Sequence, residues 1–170
     1  MADERITMAS GRLGRIVVIR LAPGSDLLQS IEEAAYKEGI TSGLILGGAA
    51  SLTRVVLRNP RGYPKAFPIT DEVRIFTPLE GPLELLSISG NISLREDGQM
   101  VVHAHVTVSS GCPESIAYGG HLVAGAIIYS TGELVLAETE GIELRRLFNE
   151  ETKTHELAPV AKKLALNLNN

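Results

Sequence analysis

Two segments, Leu86–Leu94 and Gln99–Ser109, alternate apolar and polar side chains, and only Arg95 and the turn-forming Glu96-Asp97-Gly98 separate them. A period of two puts successive side chains on opposite faces of a strand, so each segment is a strand with one buried face. Joined by so short a connection, they can pair only as an antiparallel hairpin, which commits the chain to a sheet. In the second segment Met100, Val102, Ala104, Val106 and Val108 form the apolar face, and His103, His105, Thr107 and Ser109 project from the other. In the first, Leu86, Ile88, Ile92 and Leu94 are apolar around Gly90, against Ser87, Ser89, Asn91 and Ser93. Opposed residues share a face, so partner numbers must sum to an even value. A three-residue loop with Gly98 left-handed sets Arg95 opposite Gln99, Asn91 opposite His103 and Ser89 opposite His105. A two-residue Asp97-Gly98 turn would set Ile92 against His103 and mix the faces, so the longer loop is predicted.

The rest of the chain reads as one α+β domain with a largely antiparallel sheet and one main helix. Ile16-Val17-Val18-Ile19 marks a first strand, Arg15–Leu21, closed by Pro23-Gly24. From Asp26 to Glu38 the apolar residues Leu27, Leu28, Ile31, Ala34 and Ala35 follow helical spacing, with Asp26 and Gln29 placed for a capping box and Gly39 for C′. Strand-like runs follow at Gly43–Arg58, Glu72–Thr77, Leu83–Leu94, Gln99–Ser109, His121–Tyr129, Glu133–Thr139 and Glu143–Phe148, with a Pro- and Gly-rich loop at Asn59–Pro68. Residues 1–14 are read as an extension, 15–149 as the domain and 150–170 as a tail in which Val160–Leu166 forms a short helix or stays disordered. A length of 170 residues suits one domain, and 44% hydrophobic with 21% charged residues excludes collagenous and disordered classes. No apolar run approaches the ~20 residues of a membrane span, and the acid-bearing N-terminus has no apolar core of a signal peptide, so a cytoplasmic location without membrane contact is expected. The one cysteine, Cys112, makes no internal disulfide.

Two histidines at i and i+2 on one strand face can reach a single ion, and a third from elsewhere makes a set that leaves a coordination position open. His121, after Gly119-Gly120, is the third candidate; the glycines allow a close backbone approach or a sharp turn. On spacing alone, His103 and His105 fit equally an ordinary solvated strand face, and His121 a strand-starting core residue. His155 reads as a solvated tail residue.

Four pieces, GPLELLSISGNIS (81–93), the Asp97-Gly98 turn, HAHVTVS (103–109) and GGHLVAG (119–125), resemble in order and spacing the plants-and-prokaryotes-conserved (PPC) domain in its stand-alone microbial form. The resemblance runs from about Ile16 to Phe148. It implies an α+β homotrimer with an architecture like that of acetolactate decarboxylase, in which an HxH pair and a later histidine hold zinc. Carried to this chain, it implies a divalent transition metal, zinc by its suitability for imidazole, on His103, His105 and His121, and the predicted register places Ser89 and Asn91 to support the ligands. Plant relatives pair the domain with an AT-hook, but no Arg-Gly-Arg-Pro is present here. The formal charge of −4 offers a polyanion no general attraction. Arg58, Arg61 and Lys65, in the Arg54–Arg74 region with Tyr63 and Phe67, are the nucleic-acid contact candidates, beside the reading of that region as a solvated loop.

GLILGGAAS (43–51) lacks the phosphate-loop pattern and reads as close packing of small residues. Cys112 reads as an inert loop thiol, and Glu114, Glu138 and Glu140 are candidates for a fourth ligand or general base. Three functions are compatible with these residues. One is a metal-binding trimer with a regulatory or weak DNA-binding role. Another is a zinc-dependent lyase or hydrolase with a small carbonyl or ester ligand at the metal. The third is a structural trimer reinforced by metal.

Overall fold

The computed structural model describes residues 5–111 and 114–162. Eight strands and one α-helix follow in the order β1 (Arg12–Leu21), α1 (Leu27–Glu38), β2 (Gly43–Pro60), β3 (Arg74–Arg95), β4 (Met100–Ser110), β5 (Ala117–Leu122), β6 (Ile127–Glu140), β7 (Ile142–Asn149) and β8 (Thr154–Ala161), with one 3-10 turn at Asp71–Val73. The α+β class and the antiparallel character hold, the one parallel pairing among the described residues being β3 with β7. The spatial order is β1-β6-β2-β5-β4-β3-β7-β8, and β2 also pairs with β3. The pairings β2–β5–β4–β3–β2 therefore close a ring, which removes edges from the middle of the sheet.

The helix forms as its spacing predicts. Leu27, Ile31 and Ala35 are buried, the Asp26 carboxylate accepts from Gln29 N at 3.1 Å, and Gly39 ends the helix in the left-handed region at φ 68°. The second Asp26 oxygen accepts from Gly125 N at 2.6 Å, so the cap also ties the helix to the turn before β6. The core joins helix and sheet through Leu27, Ile31, Ile40, Leu52, Leu57, Ile92, Ile128, Leu134 and Leu136. In β2, a Cβ on Gly43 would come 2.8 Å from the Ala137 carbonyl oxygen, so the small residues of 43–51 do serve close packing.

The hairpin has the predicted register: Asn91 opposes His103, Ser89 opposes His105, Arg95 N donates to Gln99 O at 2.9 Å, and Gly98 has φ 81°. One parity fails. The pairing slips between Leu85 and Ser87, so Leu85 turns into the core and Leu86 is exposed, as a bulged residue shifts which side chain faces inward.

Three boundaries also differ. From Arg74 onward the run Glu72–Thr77 joins Leu83–Leu94 in one bent strand, β3, which passes through Pro78 and Pro82 while staying paired with β2, and Glu72 and Val73 lie in the 3-10 turn. The run His121–Tyr129 is two elements: β5 ends at Leu122, and Ile127–Tyr129 opens β6, because Gly125 at φ 108° breaks the extended backbone. The stretch read as a tail contains β8, paired antiparallel with β7 from Ile142↔Ala161 to Asn149↔Thr154. Its alternation is obscured because it is a half-exposed edge strand containing Pro159, a position where the missing N–H is tolerated. Within Val160–Leu166, Val160 and Ala161 are thus in a strand, and residues from 163 onward lie outside the described residues, as does Cys112.

Candidate metal centre

Strand pairing assembles the three histidines. His105 opposes His121 across β4 and β5, His121 opposes Arg58 across β5 and β2, and His103 lies two residues from His105 on the same face. The ring centroids are 5.4 Å apart for His103 and His105, 4.9 Å for His103 and His121, and 5.2 Å for His105 and His121. One nitrogen of each ring lies within 4.8 Å of the other two, and these histidines are the potential metal-binding group of three or more among the described residues. Two nitrogens on one tetrahedral zinc are roughly 3.4 Å apart, from bonds of about 2.1 Å, so small side-chain rotations bring the set to bonding distance. Gly120 makes room beside His121: a Cβ there would meet Asn59 Nδ2 at 2.8 Å, and that amide donates to the Gly119 carbonyl at 3.0 Å.

The electrostatics suit ligation. His121 is pushed down to about 3, first by burial and then by Arg58, while His103 is lowered first by burial and then by Arg146. Both rings are therefore neutral at neutral pH, each with one nitrogen lone pair to offer.

Arg146, on β7, carried no sequence motif, although it shares strand parity with buried Leu144. Its Nη2 donates to His103 Nδ1 at 2.9 Å and to Asn91 Oδ1 at 3.3 Å; its Nε donates to Ser93 Oγ at 3.2 Å and its Nη1 to the His155 carbonyl at 3.4 Å. Asn91 thus supports His103 through Arg146, whereas Ser89 lies exposed opposite His105. His155 is not a solvated tail residue: its ring lies 5.4 Å from that of Phe148, with Nε2 3.4 Å from Arg95 Nη2.

Of the proposed nucleic-acid contacts, Arg58 is half-buried beside the histidines, while Arg61 and Lys65 are exposed in the following loop. The acids considered as further ligands are elsewhere. Glu138 pairs with Arg15 and Glu140 with Arg12, both at the β1 side of the sheet, and Glu114 is exposed. Two recesses adjoin the triad, one lined by Arg58, Arg95, Arg146 and His155 and the other by Arg58, Arg74, Tyr63 and Ile69, and among the described residues no carboxylate lines either.

Residues 8–140 match the model of the Plants and Prokaryotes Conserved (PCC) domain. The chain belongs to this family. Among solved structures, a plant- and prokaryote-conserved (PPC) protein of Pyrococcus horikoshii is 30% identical, with a TM-score of 0.66 over 95% of this chain and 100% of that one. A metal-containing protein of Archaeoglobus fulgidus is 26% identical, with a TM-score of 0.71 over 89% of this chain and 99% of that one. The bifunctional protein GlmU of Synechococcus sp. (strain JA-3-3Ab) is 34% identical over 125 residues, 74% of this chain. The PCC chain spans less than a fifth of the length of that relative and of a second Synechococcus GlmU, at 17% and 19%. Among the described residues, no helix of this PCC domain is long and apolar enough to cross a membrane.

Proposed function

We propose that this PCC protein binds one divalent transition metal, zinc by ligand chemistry, on His103, His105 and His121, and works as a homotrimeric binding module for a small ligand at the open coordination position. The observation that carries this reading is the convergence of three imidazoles from β4 and β5, within 4.8 Å of one another, beside recesses lined by no carboxylate among the described residues. The metal-containing relative from Archaeoglobus supports it. Bound metal would supply a Lewis-acidic centre. The chain's own contribution is to keep His103 and His121 neutral, orient them on paired strands and line the approach with guanidinium groups. A lyase or hydrolase in which a carboxylate near the ion moves the proton is less well supported, because the described residues lining the two recesses include no Asp or Glu. A binding role is therefore placed ahead of carboxylate-assisted catalysis, and an acetolactate-decarboxylase-like architecture is proposed for the trimer. Elemental analysis of the purified full chain should find about one divalent ion per chain; metal-free protein that takes up none on titration with zinc or cobalt would refute the reading.

The assembly is tested by light scattering, which should report particles of three 18.2-kDa chains. A concentration-independent monomer would overturn the trimer. For DNA, a net charge of −4 and the separation of half-buried Arg58 from exposed Arg61 and Lys65 support only weak contact. Duplex binding should fall in the roughly 10⁻⁴–10⁻⁶ M range of nonspecific association at physiological salt. Replacing Arg58, Arg61 and Lys65 together should lower it uniformly across sequences and flatten its salt slope. A sequence-selective nanomolar complex in a mobility-shift titration would show that DNA is the principal partner.

A further inference from the structure

The Arg146–His103 hydrogen bond bears directly on metal binding. A guanidinium has only donors, so His103 Nδ1 presents its lone pair to Arg146 and the neutral ring carries its proton on Nε2. A metal bound at Nδ1 needs the lone pair that Arg146 occupies. A metal bound at Nε2 sends the ring proton to Nδ1, where an N–H would face the N–H of Arg146. The Arg146–His103 hydrogen bond and a His103–metal bond are therefore alternatives.

Among the described residues lining the recess, the displaced guanidinium has no carboxylate to receive it. Its other partners are Asn91 Oδ1, Ser93 Oγ and the His155 carbonyl, all neutral. Arg58 makes no ion pair with a carboxylate among the described residues; Asp71, whose charge acts on it, is paired with Arg74 at 2.8 Å, and Arg95 is paired with Asp97 at 3.4 Å. Arg58 and Arg146, both half-buried, line one recess of about 340 Å³ together with His103 and His121. An ion at the triad would add positive charge to a recess that already holds two guanidinium groups, neither of them in an ion pair with a carboxylate among the described residues. Guanidinium forks match the geometry of carboxylate and phosphate oxygens.

We propose that Arg58 and Arg146 form a binding site for a small free oxyanion, a carboxylate or phosphate, and that Arg146 passes from His103 to this anion when the triad takes up its metal. The site rests on the metal-binding reading above and deepens it by naming the class of ligand. Metal and anion then bind with positive linkage, since each favours the state in which Arg146 has left His103. The recess favours a free anion over a nucleic-acid backbone, because both guanidinium groups are half-buried whereas exposed Arg61 and Lys65 do not line it.

The test is calorimetric titration of the full chain with inorganic phosphate, metal-free and after loading with one zinc ion per chain. The loaded protein should bind phosphate one-to-one, and the metal-free protein at least about tenfold more weakly. Arg146→Met should take up zinc at least as tightly as the wild type, yet its loaded form should lose about tenfold or more in phosphate affinity; Arg58→Met should show a similar phosphate loss. A zinc-loaded wild type with no saturable phosphate binding, or with binding unchanged in both variants, overturns the anion site and leaves the metal reading standing. A wild type that takes up no zinc instead removes the metal reading, and the proposal with it. If a short DNA duplex binds the loaded protein more tightly than phosphate and Arg146→Met abolishes that binding, the anion is a backbone phosphate and the free-ligand assignment fails.

Discussion

Alanine at both His103 and His105 is expected to abolish stoichiometric metal binding while leaving a folded protein. Two of the three imidazoles in the cluster are then gone, and no described carboxylate lies in the cluster to replace them. The loss should exceed the roughly 10–100-fold in affinity that removing an outer hydrogen-bond partner of a metal ligand costs. Folding should survive because the core face of β4 consists of Ala104, Val106 and Val108, all buried, whereas His105 is exposed and His103 only half-buried. His155→Ala is the control: it lines the neighbouring recess but lies outside the triad, so metal content should not change. Elemental analysis alongside far-ultraviolet circular dichroism checks both halves. One ion per chain retained in the double variant would move the metal to another site.

Gly90→Ala should have the second-largest effect, on stability and metal affinity together. Gly90 opposes Ala104 in the β3–β4 pairing, and a Cβ built there falls on the main-chain carbonyl of His103 with Ala104 Cα 2.8 Å away. Both atoms belong to the backbone of a ladder held from both sides by β3 and β5, so neither can move aside as a flexible side chain would. The cost should reach the upper part of the roughly 1–3 kcal/mol seen for overpacking. For a domain of this size that lowers the thermal midpoint by roughly 5–10 °C. The strand that must shift carries His103, so zinc affinity should fall even though all three histidines remain. Wild-type melting and metal affinity in the Gly90→Ala variant would mean that the two strands are less closely apposed than their pairing indicates.

The register of the β3–β4 hairpin was legible from the sequence because it depends on neighbours in sequence: alternation within each strand, Gly98 in the loop, and the parity rule that puts Asn91 opposite His103. The helix was legible for the same reason, since Asp26, Gly39 and the Leu27–Ile31–Ala35 stripe act within about three turns. His103 and His105 could be placed on one face by parity, but bringing His121 to them required β5 to pair with β4, and the motif resemblance rather than periodicity indicated it. The bulge at Leu85–Ser87 and the single bent course of β3 arise from pairing with β2 and β4 at once, which no local pattern records. Arg146 escaped detection because it reaches His103 only through the parallel β3–β7 pairing, Leu94↔Arg145 and Arg95↔Arg146, between positions 51 residues apart. By itself, then, the sequence determined the helix, the hairpin register and the polar face bearing two histidines, all consequences of short-range periodicity and turn chemistry. Only the tertiary structure decided that the sheet closes through β2, that 154–161 forms a strand, and that Arg58 and Arg146 crowd the histidines, because these depend on which distant strands become neighbours.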